Sequence, residues 1–389
     1  MELVTISPSI QYIGVDDKTI DLFESQYIVP HGISYNSYVI LDEKIAVMDT
    51  VDARATGPWL KNLADVLGDR KPDYLVVSHL EPDHASNIQT LAEKYPDMKI
   101  VASAKALSMI PQFFTFDISD RSIVAKEGET LSLGQHTLQF FMAPMVHWPE
   151  VMVSYEQHEK VLFSADGFGK FGALDAEEDW DCEARRYYFN IVGKYGMQVQ
   201  ALLKKAATLD IQTICPLHGP ILKENLGHYI GKYDVWSSYQ PEDEGVFIAY
   251  ASIHGHTAQA AKKLAHILEE KGAKKVVLAD LCRSDLAECV EDAFRYSHLV
   301  LASASYDAGL FPPMEAFLHK LRAKAYQNRV VALVENGSWA PSAGKCMKAI
   351  LEPMKNLRMV EPLVSIRSSL KPETEAQLET LADNLLAAK

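Results

Sequence analysis

The sequence predicts an α/β protein in two parts, a mixed sheet over residues 1–244 and a doubly wound parallel sheet over residues 245–389. Three observations carry this prediction. Strands come in adjacent pairs before Gln240-Pro241-Glu242-Asp243-Glu244-Gly245, they alternate with amphipathic helices after it, and ligand-type side chains gather where predicted strands end. Short hairpin turns join antiparallel strands, whereas parallel neighbours need long crossovers.

In the first part, 37–41 pairs with 45–49 across Asp42-Glu43-Lys44, and 151–155 pairs with 160–164 across Glu156-Gln157-His158-Glu159. Between these hairpins, Tyr74-Leu75-Val76-Val77 reads as a buried strand that opens into His79-Leu80-Glu81-Pro82-Asp83-His84. In an extended chain His79, Glu81 and Asp83 point to one side, with Pro82 biasing Glu81 toward that conformation, and His84 faces elsewhere. Two imidazoles and two carboxylates in so short a stretch suit two metal ions, His79 and Glu81 for one, Asp83 and His84 for the other. A polar loop with Asp83 as a helix N-cap needs only one such residue.

Three further candidates follow predicted strands: His147 after 138–142, Asp166 after 161–164 and His218 after 213–215. Each is weak alone, since Asp-Gly is a common turn and a lone histidine is usually structural. Their recurrence at strand ends gives them weight. His136 stands outside this pattern.

In the second part, predicted strands at 246–251, 275–279, 298–302, 329–334 and, more weakly, 359–363 alternate with helices, closed by a helix at 373–388. The first strand runs into Ser252-Ile253-His254-Gly255-His256-Thr257 and a helix beginning near Ala258. Such a loop offers backbone N–H groups and hydroxyls to a phosphate without a lysine, which suits a monophosphate. Walker and G-x-G-x-x-G patterns are absent, which disfavours nucleoside triphosphates and dinucleotides. Taken alone, the loop has the lesser alternative of an ordinary turn capped by Ser or Thr. Two later loops add to it. Ser305, Tyr306, Asp307 and Gly309 follow the third strand, and Gly337, Ser338 and Trp339 follow the fourth, so each loop sets an aromatic face among small residues, as a planar ring requires.

Composition narrows the function classes. The chain has 389 residues, 48% of them hydrophobic, and 52 acidic against 38 basic residues give a net charge of -14, which argues against nucleic-acid or anionic-membrane partners. Five cysteines form no CxxC pair and predict a reducing, cytoplasmic setting. No apolar run is long enough to span a bilayer, and Met1-Glu2-Leu3-Val4 opens no export signal.

The order H-x-E-x-D-H, His147, Asp166, His218 resembles the metallo-β-lactamase fold and, within it, the flavodiiron (A-type flavoprotein) branch; the wider fold usually has His where this chain has Glu81. Further similarities are Gly32-Ile33-Ser34-Tyr35-Asn36-Ser37-Tyr38, His147-Trp148-Pro149 and Glu183-Ala184-Arg185-Arg186-Tyr187-Tyr188. The later loops resemble the FMN site of flavodoxins, with His254 where Thr is frequent. This resemblance covers nearly the entire chain. It implies an N-terminal metallo-β-lactamase-like αββα sandwich and a C-terminal flavodoxin-like domain. It also implies FMN and two non-haem irons: His79, Glu81 and His147 on one iron, Asp83, His84 and His218 on the other, and Asp166 bridging.

By the same resemblance the chain takes electrons from rubredoxin or another separate donor and reduces dioxygen to water or nitric oxide to nitrous oxide. The resemblance also implies a head-to-tail homodimer, or a dimer of such dimers, with the FMN of one subunit beside the di-iron site of the other. His31, Tyr187 and Tyr188 are candidate proton donors beside the metals, and they are equally well read as structural. Glu81 separates the rival readings on physical grounds. With Asp83 and Asp166 it supplies three negative charges against two divalent ions, which favours redox iron over hydrolytic zinc. A zinc-dependent hydrolase with an accessory flavodoxin-like domain is the alternative, and an electron carrier with a vestigial first domain is the third reading.

Overall fold

The computed structural model describes residues 5–388, and Met1-Glu2-Leu3-Val4 lie outside the described residues. The chain divides into two compact units, Met1–Tyr188 with Met197–Asp234, and Phe189–Gly196 with Val235–Lys389.

Beside two small two-stranded sheets, two large sheets build the core of the first unit. One runs Ile10–Tyr12, Tyr38–Ile40, Ala46–Met48, Tyr74–Val77, Lys99–Ser103, Ser122–Ala125; the other runs Thr130–Ser132, Thr137–Met142, Met152–Glu156, Val161–Phe163, Thr213–Cys215. Both expected hairpins form, with Val39 opposite Val47 and Tyr155 opposite Leu162. Parallel pairing then carries each sheet onward, from Ala46–Met48 to Tyr74–Val77 and from Val161–Phe163 to Thr213–Cys215. Alternation turns Ile10, Tyr38, Met48 and Val76 of one sheet toward Leu138, Phe140, Met152 and Phe163 of the other, forming one core. Each large apolar side chain so buried contributes about 1.5–3 kcal/mol, so the core fixes where the strand ends lie.

All four residues of Tyr74–Val77 are buried, because the strand has parallel neighbours on both edges. The extended alternation expected beyond it stops at Pro82. Glu81 is extended (φ -59°, ψ 137°), as a residue before proline should be, but Pro82–Ala85 is a single helical turn with Glu81 as its N-cap residue. Asp83 therefore neither caps this helix nor continues the line of His79 and Glu81. The turn swings Asp83 and His84 off together.

In the second unit the parallel strands lie in the order Val276–Asp280, Asp243–Ala251, Tyr296–Tyr306, Arg329–Asn336, Leu357–Ile366, with Gly309–Leu310 antiparallel to Tyr296–Tyr306. Numbered along this unit the order is 2-1-3-4-5, the doubly wound arrangement whose crevice opens where the order reverses. His256–Glu270 buries Ala260, Ala261, Leu264, Ala265 and Leu268, and Pro372–Ala387 buries Leu378, Leu381, Ala382 and Leu385, both at helical spacing. These faces share a core with Ile248, Val300, Ala332 and Val364 of the sheet. Among the described residues no helix is long and apolar enough to cross a membrane.

Candidate metal centre

Four loops, each following a strand of the first unit, bring His79, Glu81, His147 and Asp166 into one group and Asp83, His84 and His218 into another. In the first group the His147 Nε2 atom lies 3.0 Å from Glu81 Oε2, 3.2 Å from Asp166 Oδ2 and 3.4 Å from His79 Nε2. His79 Nε2 is 3.3 Å from both Glu81 Oε2 and Asp166 Oδ2. In the second, Asp83 Oδ2 is 3.1 Å from His218 Nε2 and 3.3 Å from His84 Nε2, which is in turn 3.3 Å from Asp166 Oδ1. The two oxygens of Asp166 thus face different groups.

These spacings fit shared ions. Donors about 2.0–2.2 Å from one ion, at angles between octahedral and tetrahedral, stand about 2.8–3.6 Å apart. The burial of the donors points the same way. Both carboxylate oxygens of Asp83 and of Asp166, together with Nε2 of His84 and of His218, are buried without a hydrogen-bond partner. Leaving such atoms unsatisfied is costly unless a cation meets them.

Neighbours fix the ring tautomers of two histidines. The His79 Nδ1–H donates to Glu150 Oε1 at 2.8 Å, and the His218 Nδ1–H donates to the Ser34 carbonyl at 2.7 Å, leaving a lone pair on each Nε2. Burial opposes a charged ring at His79 and at His147, but Asp166 and Glu81 outweigh it, with Glu150 helping at His79; they hold His79 well above the usual range and raise His147 to about 9. Burial likewise opposes the Asp166 carboxylate, yet His79, His147 and His84 hold it well below the usual range. The cluster calls for positive charge among its carboxylates, which is what bound cations supply.

The loop carrying His218 is clamped by the 32–38 segment. Asn36 Nδ2 donates to the Pro216 and Gly219 carbonyls, both at 2.8 Å, Tyr38 Oη donates to Pro216 at 2.6 Å, and the Gly219 N–H donates to Ser34 Oγ at 2.7 Å. Phe23 packs edge-on against His218 at 5.3 Å, and Thr50 Oγ1 donates to the His84 carbonyl at 2.7 Å. Sequence reasoning missed Glu150 and the work of Ser34 and Asn36. Glu150 follows His147-Trp148-Pro149 directly, so a carboxylate trailing a candidate ligand was the available signal.

The three candidate proton donors separate. Tyr187, at the end of Trp180–Tyr187, is buried with its ring 5.6 Å from that of His218, and burial, then Asp166, Asp83 and Glu81, keep its hydroxyl protonated. Tyr188, the next residue, turns edge-on to Tyr233 at 5.1 Å. His31 is exposed, with Nε2 3.3 Å from Glu178 Oε1. The structure thus sets Tyr187 against the ligands and draws His31 and Tyr188 to other partners.

In the second unit Ser252, His254, Gly255, His256 and Thr257 form the turn from the first strand into His256–Glu270. Gly255 is left-handed (φ +89°) with open space where a Cβ would stand, its N–H donates to Ser252 Oγ at 3.1 Å, and no side chain caps the helix. The helix start, where the sequence predicts a phosphate cradle, thus presents its backbone without a side-chain cap. Ser305 Oγ accepts the Ser342 and Ala343 N–H groups at 2.8 and 3.1 Å, which ties the second loop to the third. A Cβ at Gly337 would come within 2.8 Å of Pro341 Cα, so this tie requires glycine. Asp307, at φ +48°, tips the short hairpin that pairs Tyr306 with Gly309, and Ser338 bonds Ser368 Oγ at 2.8 Å. Tyr306 is 47% and Trp339 87% exposed, so both rings offer uncovered faces beside these loops.

Known proteins are similar to this chain in sequence and fold. A family model described as ODP family beta lactamase matches residues 33–219. The rubredoxin-oxygen oxidoreductase of Megalodesulfovibrio gigas is 28% identical, covering 100% of this chain and 98% of that protein. A nitric oxide reductase of Moorella thermoacetica is also 28% identical, over 92% of each. Among solved structures, the rubredoxin oxygen:oxidoreductase of Desulfovibrio gigas superposes with a TM-score of 0.92 at 28% identity, covering 99% of this chain and 98% of that one.

Proposed function

We infer that the chain belongs to the flavodiiron family, taking electrons at FMN and passing them to a non-haem di-iron centre to reduce dioxygen to water, nitric oxide to nitrous oxide, or both. One observation carries this reading: two groups of buried donors face the two oxygens of a single carboxylate, Asp166. His79, Glu81 and His147 would hold one iron, Asp83, His84 and His218 the other, with Asp166 between them. When bound, the irons supply open coordination positions and electrons to the gas, and FMN supplies the electron store that feeds them.

The chain's own residues position and protonate. Glu150 and the Ser34 carbonyl aim the Nε2 lone pairs of His79 and His218, and the Tyr187 hydroxyl holds a proton beside the carboxylates. Glu81, where hydrolytic relatives of the fold carry His, adds the negative charge that favours oxidised iron and disfavours the zinc-hydrolase alternative. In the second half, backbone N–H groups of the 252–257 loop with the Ser252, His254, His256 and Thr257 side chains would hold the phosphate of FMN. The loops at 305–309 and 337–339 would hold its ring, with Tyr306 and Trp339 against the faces. We take residues 1–244 as the metal half and 245–389 as the flavin half.

The electron donor in this reading is another molecule, a rubredoxin-type carrier being the one that a relative's name indicates, and the lack of a CxxC pair in the sequence supports this. All five cysteines are free, which fits a reducing cytoplasm. A homodimer completes the proposal.

Metal analysis with a visible spectrum, followed by anaerobic reduction and exposure to each gas, tests it. Iron, bound FMN and gas-dependent flavin reoxidation are expected. Protein loaded with both cofactors but inert to both gases refutes the reading, as does zinc without redox activity.

A further inference from the structure

Behind the loop that carries Asp166 lies a cavity of about 20 Å³, walled at its inner end by Val146, Val153, Leu162 and Val199 and at its half-buried outer end by Leu203 and Ala206. Its polar neighbours are turned to other partners. Ser164 Oγ donates to the Gly167 carbonyl at 2.7 Å, Lys205 Nζ donates to the Met142 carbonyl at 2.9 Å, and Tyr233 Oη accepts the Phe168 N–H at 2.6 Å. A water needs two to four polar partners and about 10–15 Å³, so this space is large enough for one small molecule but chemically unsuited to water. Apolar cavities of this kind stay dry and take up apolar guests such as xenon.

Its position gives the cavity a purpose. Ser164 and Gly167 line it and flank Asp166 in sequence, and Val146 lines it immediately before His147. Small neutral diatomic molecules prefer an apolar space to water for the same reason that methyl groups do. We propose that this cavity is a docking site for the apolar diatomic substrate, holding dioxygen or nitric oxide between the half-buried 203–206 surface and the loops that carry Asp166 and His147. This inference rests on the gas-reductase reading above. The binding site itself, however, can be tested without turnover.

Crystals of the iron- and FMN-loaded full chain under xenon pressure should show xenon between Val153, Leu162 and Val199. Ala206→Phe, at the half-buried end, should lose that xenon. Its flavin reoxidation rate should then rise several-fold less steeply with gas concentration, while iron content and anaerobic flavin reduction match wild type. Val199→Ala widens the space and should keep both the xenon and at least the wild-type slope. Active wild-type protein that takes up no xenon overturns the docking site alone. So does Ala206→Phe that excludes xenon with an unchanged slope, or an equal fall in slope in both variants. Loaded wild-type protein that reduces neither gas overturns the functional reading, whatever xenon does.

Discussion

Glu150→Ala tests whether the neighbours of the ligands, and not the ligands alone, set metal affinity. Glu150 is buried, and its Oε1 accepts two N–H groups, His79 Nδ1 at 2.8 Å and Leu80 N at 3.0 Å. Removing the acceptor strands both donors away from water, at about 1–3 kcal/mol each. Part of that loss falls on folding and part on the aim of the His79 lone pair. Loss of such a ligand-orienting partner lowers metal affinity about 10–100-fold, equivalent to about 1.4–2.8 kcal/mol, which lies within the range available from the two bonds. Glu150→Gln keeps an acceptor oxygen for both donors and removes only the charge, so it should fall between the alanine variant and wild type. Iron retained against increasing chelator is the measurement, with bound FMN as an internal check on folding. Wild-type iron retention in Glu150→Ala would refute the reasoning, because it would mean that the His79 ring is aimed without Glu150.

Asp166→Asn leaves one oxygen where two face the two groups, so one or both irons should be lost while FMN stays, as metal and flavin analysis will report. His136, outside the ligand pattern and so expected to keep both iron and FMN on substitution, is buried, with Nδ1 2.8 Å from Asp42 and Nε2 3.1 Å from Glu159. Burial opposes its charge, but Glu159 and Asp42 outweigh this and raise its pKa. Stability from this ion pair is then fully present below the unfolded value of about 6.5 and is lost as pH rises through the higher folded value. His136→Gln should flatten that part of a Tm against pH profile; an unchanged slope would exclude the pair as its cause. Trp339→Ala, at a ring 87% exposed, should leave Tm unchanged. It should weaken FMN binding about threefold to tenfold in a fluorescence titration, the worth of one aromatic contact, and unchanged affinity would remove Trp339 from the flavin site.

The sequence by itself determined the class of both halves, because side-chain periodicity and turn chemistry are local: paired strands before residue 240, strand and helix alternation after it. It also marked all seven donors, since His, Glu and Asp crowded at strand ends have few structural uses. The tertiary structure decided how those donors are shared. Asp83 and His84 part from Glu81 because Pro82 starts a helical turn, and His147, Asp166 and His218 meet them because two sheets pack on one core. Neighbouring tyrosines on one helix diverge, Tyr187 toward His218 and Tyr188 toward Tyr233, by the rotation between successive helical residues, which no composition records. Glu150, Ser34 and Asn36 orient candidate ligands, or clamp the loops that carry them, through hydrogen bonds to residues 71, 184 and 180 positions away. A hydrogen bond over such separations exists only once the fold has brought its ends together, so its donor and acceptor carry no mark in the sequence.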